Sequence, residues 1–168
     1  MATPFHEVSR YLRAHPKNEG HPMIESRLID LMDAFIGQNK EPSSSPNLER
    51  AEHVDDTEQL ERLLDRSKTR KRADIQVRIL TIFKILLRKE VNRSNIRATT
   101  IGAICRALDE PADFDSAQEG ANALLNCCYE DANVERVLQH SGASILMSVL
   151  RGPLASNTSV LASVAGAL

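Results

Sequence analysis

The sequence predicts an all-α protein, and three observations carry that expectation. Apolar residues make up 42% of the 168, yet aromatics are only 4% and Trp is absent. The core must therefore come from Leu, Ile, Val and Ala, a composition that suits packed helices better than a sheet sandwich. Segment after segment also repeats its apolar residues at the three- and four-residue spacing of a helix face. Finally, no segment sustains the alternating pattern of a half-buried strand.

Taken in order, Pro4 behind Thr3 is a favourable helix start. Phe5, Val8 and Leu12 then share a face, which predicts a helix over 4–14. Ile24, Leu28, Leu31, Met32, Phe35 and Ile36 predict a second over 22–36, with Gly37 as its stop. Residues 38–55, QNKEPSSSPNLERAEHVD, hold two prolines, three serines and scattered charge. Such a stretch buries too little apolar surface to order itself and reads as a flexible linker. Ser45-Pro46 within it could be a phosphorylation site, although plain linker is the simpler reading. The chain thus divides into an N-terminal helical segment over 1–37, the linker, and a helical domain over 56–168.

The domain opens on Asp56 and Gln59, placed for a capping box ahead of Leu60, Leu63 and Leu64. The basic run RSKTRKR, 66–72, reads as cationic residues at the C-terminal end of a helix, where they oppose the macrodipole. Its functional alternative is an import signal or a phosphate-binding patch made by Arg66, Lys68, Arg70, Lys71 and Arg72. Over 74–90, Ile75, Ile79, Ile82, Phe83 and Leu86 form one apolar face, while Leu80, Ile85 and Leu87 lie off it. That helix should be buried on more than one side. Ile101, Ile104, Cys105 and Leu108 predict a shorter helix over 98–108, ended by Pro111.

Ser116 and Glu119 fit a capping box for a helix reaching Tyr129. On its wheel Ala121, Leu124, Leu125 and Cys128 form a core face. Gly120, Ala123 and Cys127 form a small face for close approach. Glu119, Asn122, Asn126 and Glu130, with Tyr129 at the edge, form a polar stripe. Asn133 is placed to cap a short helix carrying Val134, Val137 and Leu138, which Gly142 breaks. Ile145, Leu146, Val149 and Leu150 predict another helix up to Gly152-Pro153. Val160, Leu161, Val164, Ala165 and Leu168 predict a last one over about 158–168.

Two of these helices repeat. Ala121-Asn122-Ala123-Leu124 returns 44 residues on as Ala165-Gly166-Ala167-Leu168, while Leu108 and Pro111 return 42 residues on as Leu150 and Pro153. The slip of two belongs in the loop between. Such a period is what stacked two- or three-helix units require.

The stretch AQEGANALLNCCYEDANVERVLQHSGASILMSVL resembles an armadillo repeat. The resemblance rests on the A-x-A-L-x-N core of a third helix, an Asn opening a short helix, and Gly-Ala opening a second helix. It covers 98–168, with 57–97 as a degenerate earlier unit and nothing over 1–55. It implies a right-handed α-solenoid with an N-terminal helical arm, in which third helices line a concave groove. There, Asn side chains hydrogen-bond the main chain of an extended partner segment, and Asn126 matches that position. Many nuclear-import members carry a Trp one turn earlier; this chain departs from them with Asn122. A shift of 42 back from Asn126 reaches Lys84, so the earlier unit would present Thr81, Lys84 and Arg88 beside acidic Glu119 and Glu130. The expected partner-binding residues are therefore Glu119, Asn122, Asn126, Glu130, Lys84 and Arg88, and the expected ligand is an extended segment of another protein. The rival role for Asn126 is an amide that ties adjacent units together.

The remaining chemistry is sparse. A net charge of −2 gives no global attraction for nucleic acid or an anionic membrane. Three cysteines, two of them adjacent, do not form a disulfide framework. They read as reduced core residues of a cytoplasmic or nuclear protein. His15 and His21 lack partners at zinc-ligand spacing, and no phosphate loop or catalytic motif is present. An enzyme, a metal and a cofactor are not expected. The longest apolar run, ILTIFKILL, contains Lys84 and is too short to span a bilayer. The last predicted helix lacks a polar cap, so the chain is expected to be a fragment, a truncated product, or half of an end-to-end dimer.

Overall fold

A computed structural model describes residues 4–16, 21–39, 41, 57–69 and 71–168. All the regular secondary structure among the described residues is helical, with no strand. In chain order the helices are α1 (Pro4–Ala14), α2 (Pro22–Asn39), α3 (Thr57–Thr69), α4 (Ala73–Leu86), α5 (Glu90–Asn95), α6 (Ala98–Asp109), α7 (Phe114–Cys127), α8 (Asp131–Gln139), α9 (Gly142–Arg151) and α10 (Thr158–Ala167). A 3-10 turn over Pro153–Ser156 joins the last two.

These helices pack in two rows. One runs α2–α4–α7–α10 and the other α3–α6–α9, with α1 against α2 and α3 at one end. Each row brings together helices that are far apart in sequence, and neighbours such as α3–α4 and α6–α7 link the rows. The core lies between them. Because α4 has neighbours on several sides, it buries Ile75, Gln76, Ile79, Leu80, Ile82, Phe83, Ile85 and Leu86, as a helix apolar beyond one stripe must. Phe5, Val8 and Leu12 are all buried, and the Phe5 ring meets that of Phe35 with centroids 5.7 Å apart.

Local geometry repeats as well. At the end of α4 the Leu87 N–H turns back to the carbonyls of Phe83 and Ile85. At the end of α7 the Cys128 N–H does the same to Leu124 and Asn126, 41 positions on. Lys89 and Glu130, both extended, then precede the short helices α5 and α8. The residues just before α4, α7 and α10 are Arg72, Asp113 and Asn157, spaced 41 and then 44 apart. The second spacing is three residues longer, and a 3-10 turn, Pro153–Ser156, lies in the connection that leads into α10.

Several expected boundaries move. Gly37 does not stop α2, which continues to Asn39; there the side-chain amide donates to the Phe35 carbonyl and closes the end. The predicted helix over 74–90 ends at Leu86 and gives way to a turn and α5, because the buried Asn92 amide captures the Leu86 carbonyl. Asp113, and not a Ser116–Glu119 box, caps α7 by accepting from the Ser116 N–H, and α7 stops at Cys127 short of Tyr129. Asn133 lies inside α8, where it is buried and does not cap. The break before α9 falls on Ser141, whose φ is 60°, with Gly142 the first helical residue. A Cβ at Gly142 would sit 2.9 Å from the Val137 carbonyl oxygen, so the α8–α9 corner closes only over glycine. Most of the predicted linker, Ser45-Pro46 and Asp56 lie outside the described residues.

Candidate functional site

The polar stripe of α7 is legible in the structure, but most of its members are already engaged. Glu119 forms an ion pair with Lys84 of α4. The Asn126 side chain donates to the main-chain carbonyl of the same Lys84 at 2.9 Å. That carbonyl lies in the last turn of α4, where carbonyls have no partner within the helix. Asn126 therefore ties α7 to α4. Glu130 lies 3.7 Å from Arg93, whose guanidinium sits 5.7 Å from the centre of the Tyr129 ring. Arg88 donates to the Asn39 carbonyl at 3.1 Å and so belongs to the junction with α2.

The expected open cationic patch is thus not what the geometry presents. Lys84 is neutralised by Glu119, and Arg88 is turned toward α2. The correspondence that paired Lys84 with Asn126 also shifts. The repeated corner has an offset of 41, which makes buried Ile85 the counterpart of Asn126. The register of 42 came from Leu108 and Leu150 with Pro111 and Pro153, outside α4 and α7, and is one residue longer than the offset of the corners.

Asn122 differs from its neighbours. It lies between Glu119 and Asn126 on the same face and is half-buried, and its amide has no hydrogen-bond partner among the described residues. An amide can donate and accept at once, matching the main-chain N–H and C=O of an extended segment. Tyr129, 69% exposed, extends the face beyond the end of α7. Beyond α7, α10 adds a surface without charge, in which Leu161, Ala162, Ala165 and Gly166 are exposed.

No family model matches the chain, and neither a curated protein nor a solved structure matches it.

The other candidates are quickly placed. Arg66 donates to the Pro16 carbonyl at 3.3 Å, and Arg72 bridges Glu25 and Asp74, so two members of the basic run serve contacts within the fold. Lys68 and Arg70 lie outside what the structure describes at side-chain level. Burial pushes the Cys105 thiol up to about 11, and raises Cys127 further and Cys128 less. These thiols are packing residues at neutral pH. Among the described residues no group of three or more His, Cys, Asp or Glu could hold a metal ion. No described helix is long and apolar enough to cross a membrane. A shallow cleft of about 320 Å³ lies between α1 and α2, lined by Glu7, Arg10, Tyr11, Ala14, Arg27 and Leu31, away from the α7 stripe.

Sequence reasoning missed Asn92 and Arg93 as organisers of the unit junctions. The signal was present: Asn92 and Asn133 occupy equivalent places in two short polar segments, 41 residues apart.

Proposed function

We propose that this chain is a non-enzymatic interaction scaffold of armadillo type. It is a right-handed solenoid of stacked helical units with an N-terminal helical arm, and it holds an extended segment of a partner protein along α4, α7 and α10. The observation that carries this reading is Asn122, a half-buried amide without an internal partner in a stripe whose other members are fixed by bonds to neighbouring units. The repeated corner at the ends of α4 and α7 supports the stacking. Rigid stacking sets the spacing of groups on the face before a partner arrives, so the ordering cost of binding falls on the partner.

Asn126 contributes by holding α7 in register, and Lys84, Glu119, Arg88, Arg93 and Glu130 by fixing the rim. The alternative, a nucleic-acid-associated protein using residues 66–72, has less support because Arg66 and Arg72 are committed to internal bonds.

The test is selection of peptides from a random-sequence display library on the immobilised chain, followed by titration of an enriched peptide against Asn122→Ala. Affinity should fall about tenfold, the loss of one or two main-chain hydrogen bonds, with the melting temperature unaltered. An enriched peptide whose affinity ignores Asn122→Ala, or a selection that enriches nothing, sinks the groove.

A further inference from the structure

The cleft between α1 and α2 is built differently from the α7 face. Glu7, Arg10, Tyr11 and Ala14 recur three and four residues apart, which puts them on one side of α1. Arg27 and Leu31, four apart, meet them from α2. Part of the lining is apolar and fixed. Leu31 is buried, and the Tyr11 hydroxyl donates to the Ile24 carbonyl at 3.4 Å while its ring lies 4.3 Å from that of His15. A volume of about 320 Å³ is at the lower end of the range for ligand clefts and has room for one residue of a peptide.

Three charged groups line the cleft: Glu7, Arg10 and Arg27. None of them has a hydrogen-bond or ion-pair partner among the described residues. Their charged neighbours on the same helices are engaged elsewhere or stand outside. Arg13 donates to Ser9, Glu25 pairs with Arg72, and Asp33 pairs with Arg78. Asp30 is exposed and does not line the cleft. Two guanidinium groups and one carboxylate leave a single positive charge. That balance fits one carboxylate, whose two oxygens match the forked donors of arginine. A phosphate monoester would set a second negative charge against Glu7. Glu7 in turn asks for a donor close to the bound carboxylate. The last residue of a polypeptide has all three parts on one Cα: a carboxylate, a main-chain N–H and a side chain. We infer that this cleft captures the C-terminal residue of another polypeptide. Its carboxylate lies between Arg10 and Arg27, its N–H donates to Glu7, and an apolar side chain packs on Leu31 and Tyr11. The site is separate from the α7 face and stands without it.

Selection of peptides with random, free C-termini on the immobilised 168-residue chain tests it. Endings in an apolar residue should be enriched. Amidation of an enriched peptide should weaken binding about tenfold, and Arg10→Ala and Arg27→Ala should each do the same, as the loss of a charged hydrogen bond requires. Both arginines are exposed, so the circular-dichroism melt should be retained. Asn122→Ala should leave the affinity unaltered, and N-acetyl-leucine, which offers the same groups without a peptide chain, should bind more weakly than the peptide. Failure to enrich any ending overturns the inference. So does an amide that binds as well as the acid, or full affinity in either Arg10→Ala or Arg27→Ala. Loss of affinity on Asn122→Ala overturns it by placing the peptide on the α7 face. Equal affinity for N-acetyl-leucine gives the cleft to a small carboxylate and overturns the polypeptide as its source.

Discussion

Asn92 and Asn133, 41 residues apart, make the same hydrogen bond: each side-chain amide donates to the main-chain carbonyl six residues before it. Asn92 reaches the Leu86 carbonyl at 2.7 Å and Asn133 reaches that of Cys127 at 3.4 Å. Both carbonyls belong to the last residue of a long helix. The same amide therefore closes α4 onto α5 and α7 onto α8. Asn133 also donates to the Arg93 carbonyl at 2.9 Å and so links the two corners. Each carbonyl also accepts a backbone N–H, from Lys89 and Glu130 respectively, so replacing either Asn with Ala removes one hydrogen bond without stranding its acceptor, at a cost of about 0.5–1.5 kcal/mol. Asn133→Ala should cost more, because it removes two such bonds. Urea unfolding of the two variants measures the difference, and equal midpoints would remove the special role of Asn133.

Two glycines should respond to alanine in opposite directions. At Gly142 an added methyl meets the Val137 carbonyl at 2.9 Å, in a corner already turned by Ser141. Gly142→Ala should destabilise by about 2 kcal/mol or more. At Gly37, within α2, nothing lies within 4 Å of an added methyl. Gly37→Ala should stabilise by about 0.5–1 kcal/mol through helix propensity. Thermal melts of both suffice, and a lower melting temperature for Gly37→Ala would mean that α2 needs its flexibility.

Burial orders the three thiols. Cys128 is half-buried, whereas Cys105 and Cys127 are closed off, with their thiols raised chiefly by desolvation. At neutral pH an aromatic disulfide reagent should modify Cys128 first. Cys105 and Cys127 should react only as fast as the chain opens, and all three together in guanidinium. Mass spectrometry of digested samples gives the order, and early labelling of Cys127 contradicts the packing.

Asp74 gives an acid limb to stability. Its hydrogen bonds from Arg72 hold the carboxyl below its usual 3.8. The unfolded chain then binds that proton more readily than the folded one. The pair stabilises above the ordinary carboxylate range, and its contribution is lost as pH falls through the lowered value. Solvent screens the pair, so the contribution is small, at most about 1 kcal/mol, and weakens with salt. The stability gap between the parent and Asp74→Asn should close as pH falls from the ordinary carboxylate value of 3.8 through the lowered one, and a gap independent of pH would refute the linkage.

Much of the fold could be read from the sequence, for a physical reason: helix existence follows from apolar spacing, and Phe5, Leu28, Ile79, Leu124 and Val160 are buried where the spacing put them. Ends were harder. Gly37 looked like a stop, but the Asn39 amide closes α2 two residues later, and a hydrogen bond of that kind leaves no periodic trace. The break after Leu86 was hidden because Leu87 is apolar and buried, which prolongs the helical pattern past the point where the backbone turns. Within the candidate stripe, composition showed that α7 has a polar side. It could not show that Lys84 would take up both Glu119 and Asn126, since that depends on how α4 and α7 lie together. Asn122 and Asn126 look alike in sequence, and only packing separates them.

Five hydrogen bonds between distant parts of the chain run in one direction: Arg66 to Pro16, Arg88 to Asn39, Asn126 to Lys84, Asn133 to Arg93 and Arg136 to Ile96. In each, the residue made later by the ribosome donates to a carbonyl made earlier. A growing polypeptide therefore finishes each level of the pile only once the level above it has emerged. The bonds span 40 to 50 residues, so each level of the pile is completed only by chain that lies that much further on.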